Sequence, residues 1–501
     1  MPWYRDRVAL AIALPTFLVH LVLAGRYDVF RDELYFIVCG RHPSFGYVDQ
    51  PPLVPLLSAA LYALGHQTWV LRMPAVLAAA ALVWLVVRFV RLLGGGDAAA
   101  VTAGLTAAIA PMFAGITGTF NTTVFEPLAW TAIAYALARG TLLDDRRALV
   151  WSGVVAGLAL EAKYSLIVWL VALAIGVLAT PERRLFARRE LWIGIALAVV
   201  IALPSVLWQA AHGWPFRELL QAAGAKNTVV PPLAFLANQV LVMNPLFAPL
   251  WLAGIAAPFI WRDLARMRFL SIAFVAATVL VIATHGKDYY LAGAYPAMFA
   301  LGSIAFERAI RNAIVRTAYL VAASVLSVLV LPTALPILPP DRIAPYMQWL
   351  HVAPQQQEKN FAGTALPQEF ADQLGWRDYV RQVGTAWVAL PPQVRADTGI
   401  LVSNYGEAGA LDVYGAPYGF PPALSGHNQY HLWGLRGQNP RNLLRIRPTL
   451  DGLKTQCTSF QVLGKVFSPY AMAWENNRLI VLCNGMRPPL AQQWNDFKHY
   501  E

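Results

Sequence analysis

YDVFRDELYFIVCGRHPSFGYVDQPPL, residues 27–53, follows the first apolar run of the chain and carries Asp28, Asp32, Glu33 and Asp49 together with Arg31, Arg41 and His42. The surrounding sequence avoids charge: it is 57% hydrophobic and 13% charged, against about 25% charged residues in an ordinary soluble domain. Its mean hydropathy is +0.48. Apolar runs recur from Arg7 to about Pro336 and then stop. The pattern implies an α-helical polytopic membrane protein over 1–336, with the stretch 26–69 as its first outside loop. A polar domain of about 165 residues, 337–501, follows.

A net charge of +11 would point to nucleic acid in a soluble protein. Here the cations sit in short loops between apolar runs, so they read as topology signals and no nucleic-acid partner is expected. The basic start MPWYRDR with its apolar run reads as a retained first helix rather than a cleaved signal. Spans are expected near 7–25, 70–92, 98–117, 119–138, 148–162, 164–180, 190–210, 233–259, 269–284, 289–306 and 314–335. That makes about eleven transmembrane helices. The fifteen-residue segment 51–65 is too short and reads as interfacial. With the N-terminus cytoplasmic, Arg5/Arg7, Arg88/Arg91, Arg139/Arg146/Arg147, Arg183/Arg184/Arg188/Arg189, Arg262/Arg266/Arg268 and Arg308/Arg311/Arg316 all fall on the inside. The C-terminal domain is then outside, in the periplasm of a bacterial inner membrane.

The remaining polar side chains gather at the opposite boundary: the 27–53 stretch, Arg72, Asn121 and Glu126, Glu161 and Lys163, His212, Lys226 and Asn227, then His285, Lys287, Asp288, Tyr289 and Tyr290. One such residue is usually an anchor or half of an ion pair. Anions and cations from several outer turns meeting one leaflet boundary imply a shared wet cavity. Cations there suit a phosphate at headgroup height, and carboxylates suit proton abstraction from a hydroxyl. Trp84 and Trp169 read as interface-belt aromatics.

Asp32-Glu33-Leu34-Tyr35-Phe36 followed by Gly46-Tyr47-Val48-Asp49-Gln50-Pro51-Pro52-Leu53 resembles the first loop of membrane glycosyltransferases with the GT-C fold. It is most similar to the family of protein O-mannosyltransferases and lipid A aminoarabinose transferases. Leu71-Arg72-Met73-Pro74, Glu161-Ala162-Lys163-Tyr164 and Gly286-Lys287-Asp288-Tyr289-Tyr290 match in order. The resemblance implies an inverting transferase that moves a hexose or pentose from a polyprenyl-phosphate donor to a periplasmic glycan, lipid or protein, in lipopolysaccharide or elsewhere in the cell envelope. It places the catalytic carboxylates at Asp32, Glu33 and Asp49, with Asp32 as base. Cations for the leaving phosphate are Arg72, Lys163 and Lys287, with Tyr290 and His285 as donors. Tyr47, Gln50, Asn121, Glu126, Glu161, Tyr289, His427 and Trp433 are candidate sugar or acceptor contacts. Arg31 neighbours the base, but helical spacing leaves it room to face lipid.

Where the lipid A transferases carry a basic residue after the second-loop acid, this chain has Gln50. No cofactor or metal is expected: Asp49 with His42 or His285 would be two separated ligands, a weak signal. The alternative function is a transporter or flippase for an anionic glycolipid, which also needs cations in a cavity. It would call for ionisable groups near the midplane and for inverted repeats, and the sequence displays neither.

Beyond 336, the stretch 397–415 reads as strand, turn and helix and 460–485 as two or three strands, giving a small α/β domain. Cys457 and Cys483 are expected to pair in an oxidising compartment, while Cys39 reads as a small buried residue. ALSGHNQYHLWG, 423–434, suits either a sugar or a docking loop.

Overall fold

The computed structural model describes residues 6–226, 230–353 and 363–501. Arg5, Asn227 and the side chain of Lys226 lie outside the described set. The chain divides into two compact units. One comprises Met1–Arg26, Leu71–Val206 and Val229–Ile337; the other comprises Tyr27–Val70, Leu207–Thr228 and Leu338–Glu501.

The first unit is helical. Prolines at the first or second position open the helices Met73–Leu92, Pro111–Ile116, Glu126–Leu143, Ala248–Ile260 and Tyr295–Ala309, where the missing N–H has no helical partner to lose. Asp6 caps Arg7–Leu23 by accepting from the Val8 and Ala9 amides. Small residues let backbones approach, as is usual between membrane helices. A Cβ on Gly254 would lie 2.0 Å from the Met298 carbonyl oxygen, and one on Gly302 would lie 1.8 Å from that of Leu250. Helices Ala248–Ile260 and Tyr295–Ala309 therefore pack almost backbone to backbone.

Among the described residues, four helices are long and apolar enough to cross a membrane: Met73–Leu92, Arg189–Ala211, Arg262–Ala283 and Ala313–Thr333. There are six such spans if two bent pairs each count as one. The expectation of about eleven also counted shorter apolar pieces. The 98–117 run is cut at Pro111 into Asp97–Ile109 and Pro111–Ile116. The 119–138 run becomes helical only at Glu126. The 233–259 run turns by 95° between Val242 and Pro245, where Asn244 adopts φ 80°. The expected turn at Glu161–Tyr164 lies between helices Arg146–Leu160 and Leu166–Leu178. Trp169 is not a belt residue. It is wholly buried, stacks on Trp130 at 5.2 Å and donates its indole N–H to the Trp130 carbonyl at 3.1 Å.

The second unit is discontinuous in sequence, grouping the first loop and residues 207–228 with the C-terminal residues. Its five strands are β1 (Thr398–Val402), β2 (Leu424–Ser425), β3 (Asn442–Arg447), β4 (Cys457–Lys465) and β5 (Leu479–Met486). They form one sheet in the order β2-β1-β3-β5-β4. β2, β1 and β3 are parallel, whereas β5 runs antiparallel to β3 and β4. A disulfide joins Cys457 on β4 to Cys483 on β5. Helix Tyr405–Tyr414 connects β1 to β2 and packs on helix Arg31–Arg41, which is part of the opening motif. Two glycines allow this. A Cβ on Gly406 would meet the Arg31 side chain at 2.3 Å, and one on Gly409 would touch Leu34 at 3.2 Å.

Candidate active site

Asp32 and Glu33 occupy the first turn of helix Arg31–Arg41. The two neighbours do different things. Glu33 is fully buried and its Oε2 accepts the Phe30 amide at 2.7 Å, which ties down the helix start. Asp32 keeps 30% of its side chain exposed. Its Oδ1 accepts the Tyr405 hydroxyl at 2.8 Å and lies 3.5 Å from Arg31 Nε. Arg31 does not face lipid: its Nη1 lies 3.7 Å from the buried Asp372, and its guanidinium is 5.3 Å from the Tyr405 ring centre.

Asp49 is half-buried in the same unit. The Tyr35 hydroxyl donates to its Oδ1 at 2.9 Å and the Asn428 amide to its Oδ2 at 3.3 Å. Burial pushes its pKa up to about 7, and the negative charge of Asp32 adds to the rise against the pull of those hydrogen bonds. The Tyr35 oxygen also accepts the Gln429 amide at 3.1 Å, and the Gln429 side chain accepts the Val48 amide at 3.1 Å. Tyr35 stacks on Tyr405 with ring centres 4.6 Å apart. Two carboxylates are thus held by two stacked phenols, one each. The segment 423–434, read as a sugar or docking loop, supplies Asn428 and Gln429 to this arrangement.

The other expected residues of this unit stand as follows. Tyr47 is buried, donates its hydroxyl to the Cys39 carbonyl at 2.8 Å and accepts Gln209 on its own carbonyl at 2.8 Å. Gln50 is buried, and its side-chain nitrogen has no hydrogen-bond partner among the described residues. His427 accepts the Tyr405 amide on Nδ1 at 3.4 Å and donates from Nε2 to the Glu501 backbone oxygen at 3.1 Å. Trp433 packs against His42 and Tyr430 at 4.9 and 5.0 Å.

In the first unit the structure gathers Lys163, Glu126, Tyr289 and Tyr290. Lys163 Nζ lies 2.6 Å from Thr123 Oγ1 and 3.3 Å from Glu126 Oε2. It sits 5.1 and 4.9 Å from the Tyr289 and Tyr290 ring centres. Ser165 donates to the other Glu126 oxygen. Arg72 is buried and donates to the Ala24 carbonyl at 3.0 Å. Glu161 accepts from Ser205 at 2.7 Å. Asn121 caps its own turn by accepting the Thr123 amide at 2.8 Å. His285 and Lys287 flank the turn that leads into Asp288–Ala294, His285 with φ 52°.

Among the described residues, one group of three potential metal ligands comes together: His427, His499 and Glu501, within 4.8 Å. It contains none of Asp49, His42 or His285. The ring nitrogens of both histidines face protein backbone, those of His499 at Phe497 and Ser403. Tyr405 is the residue that sequence reasoning missed; Asn428 lies in the 423–434 segment singled out from the sequence, and Tyr35 has no role of its own in that reading. Tyr35 stands within the D-E-x-Y motif. Tyr405 had one local signal, its place at a strand-to-helix turn directly after the apolar run GILV.

Residues 49–208 match the family model for dolichyl-phosphate-mannose-protein mannosyltransferase, beginning at Asp49 and taking in Arg72, Glu126 and Lys163. No curated protein matches the chain by sequence. Among solved structures it is similar to ArnT from Cupriavidus metallidurans bound to undecaprenyl phosphate, at 14% identity and a TM-score of 0.62, covering 95% of this chain and 97% of that one. The apo state of the same protein matches at 14% identity and a TM-score of 0.60, with 98% of each chain covered. The likeness extends over the C-terminal sheet as well as the helices and shows a GT-C fold.

Proposed function

We propose that the protein is an inverting membrane glycosyltransferase that moves a hexose or pentose from a polyprenyl-phosphate donor to a hydroxyl of a periplasmic glycan, lipid or protein, with Asp32 as general base. The observation that carries this reading is Asp32 itself. It is partly exposed, keeps one oxygen uncommitted to Tyr405, and stands in the loop whose motifs resemble the family's catalytic loop. The shared fold with a protein crystallised with undecaprenyl phosphate supports the class of donor.

The chemistry is a single displacement. The acceptor oxygen attacks the anomeric carbon as the bond from that carbon to the phosphate oxygen breaks, and the configuration inverts. The hydroxyl proton passes to the Asp32 carboxylate, and the polyprenyl phosphate leaves with the bonding pair. A weak base suffices because phosphate is a good leaving group. Arg72, Lys163 and Lys287 are the proposed cations for that phosphate. Asp49 shapes the acceptor side. The reading places the chain in a bacterial inner membrane, with the N-terminus cytoplasmic and the C-terminal unit periplasmic.

The test is mass spectrometry of envelope glycans and lipids from a deletion strain and its complemented parent. The expected result is loss of one sugar mass from one acceptor, with its unmodified form accumulating. An unchanged glycan inventory accompanied by a glycolipid retained on the wrong side of the membrane would favour the transporter reading instead.

A further inference from the structure

In open α/β sheets the loops beyond the carboxyl ends of parallel strands are where ligands bind. In this sheet those loops are Ser403–Tyr405 after β1 and Gly426–Asn428 after β2. They are occupied by the protein's own acidic loop: Tyr405 meets Asp32 and Asn428 meets Asp49. Asn428 holds φ 46° and is fixed on both sides of its amide by the Glu501 backbone, at 3.1 and 3.2 Å. The Tyr405 turn is fixed as well. Asn404 accepts the Glu407 amide at 2.9 Å, and the buried Glu407 carboxylate accepts the Ser403 amide at 2.7 Å.

We infer that Tyr405, delivered by the C-terminal sheet, is a positioning residue for Asp32, fixing one carboxylate oxygen so that the other is presented to the acceptor hydroxyl; this rests on the function proposed above. The geometry suits the role. The Tyr405 ring is buried and stacked on Tyr35. Gly406 and Gly409 remove the side chains that would hold its helix away from helix Arg31–Arg41. Burial drives the phenol well above its ordinary pKa, so it stays a donor to the carboxylate. The groups facing Asp32 are Arg31 on its own helix, Tyr405 from the helix packed on it, and Asp49 from the following loop. Asp372 and Glu475 act through Arg31. A hydrogen bond to the ionised form favours that form, so its loss raises the carboxylate's proton affinity.

Tyr405→Phe keeps the stacked ring and removes only the hydroxyl. In the full chain, with undecaprenyl-phosphate sugar as donor, kcat is expected to fall about ten- to hundredfold with KM for the donor little changed. The acidic limb of the pH–rate profile should move to higher pH. An unaltered limb with unaltered kcat overturns the proposal. So does a uniform loss at every pH with a lowered melting temperature, which would mark Tyr405 as structural only. A readout without substrate separates this from failure of the functional reading: labelling of Asp32 by a water-soluble carbodiimide, followed by peptide mass spectrometry across pH. The labelling midpoint should rise in Tyr405→Phe, and an unmoved midpoint contradicts the inference even where no transfer is measured.

Discussion

Glu126 in the helical unit and Asp32 in the other are both carboxylates beside tyrosines, yet their charges are met differently. Glu126 has Lys163 at 3.3 Å, and that ammonium in turn lies over Tyr289 and Tyr290. Asp32 receives a phenol, Asp49 a phenol and an amide, and the arginine nearest to Asp32 is shared with Asp372. Glu126 and Asp32 each have a cation within 4 Å, Lys163 for Glu126 and Arg31 for Asp32, but Asp32 also accepts a phenol hydroxyl and its arginine is shared with Asp372. The Glu126–Lys163 pair steadies the turn from which Lys163 is proposed to meet the phosphate. An arginine shared between two carboxylates leaves Asp32 less fully matched than Glu126, which suits the base role proposed for it.

Breaking the matched pair should have the largest effect on stability. Lys163→Ala leaves Glu126 buried without its cation, at a cost of about 3–5 kcal/mol. The double change Lys163→Met with Glu126→Gln should recover most of that loss. Melting curves of the detergent-solubilised protein decide it: equal losses in the single and double variants would mean the pair is not structural. Reducing Cys457–Cys483, which are 26 residues apart, should lower the stability of the sheet-bearing unit by about 3 kcal/mol. It should also slow migration on a non-reducing gel relative to the oxidised form; identical migration with both thiols alkylatable in the native protein would exclude the bond.

A smaller effect sharpens the contrast. Burial raises Asp49, Glu407 and Glu475 to about 7. The unfolded chain releases these protons near pH 4–4.5 while the folded chain keeps them, so between about pH 4.5 and 7 the native state binds more protons and stability falls as pH rises. The melting temperature should drop by several degrees from pH 5 to pH 8, and Glu407→Gln should shallow that drop. A melting temperature that climbs over this range would contradict the raised values.

The polar loop, the helical class and the C-terminal α/β unit were legible because they rest on composition and local periodicity. The strand, turn and helix of 397–415 appear as β1 and Tyr405–Tyr414. What escaped is non-local. Asp32 and Tyr405 stand 373 residues apart, and no spacing rule links them. The first loop joins the C-terminal unit because two glycines in helix Tyr405–Tyr414 admit it, which only packing reveals. Glu33 and Asp32 look alike in sequence, and the roughly 100° of helical rotation between neighbours decides which caps and which stays exposed. Trp169 was misread for a related reason: an aromatic in an apolar run is equally consistent with a belt and with a core, and Trp130 settles it. The span count depended on runs that Pro111 and the Asn244–Pro245 turn interrupt.

Transfer by Asp32→Asn is the most direct test of the chemical role given to Asp32. With undecaprenyl-phosphate sugar as donor and product read by mass spectrometry, transfer should fall roughly 10²–10⁴-fold, with binding of undecaprenyl phosphate and the melting temperature retained. Asp32→Asn protein that transfers sugar at the wild-type rate would show that the base lies elsewhere.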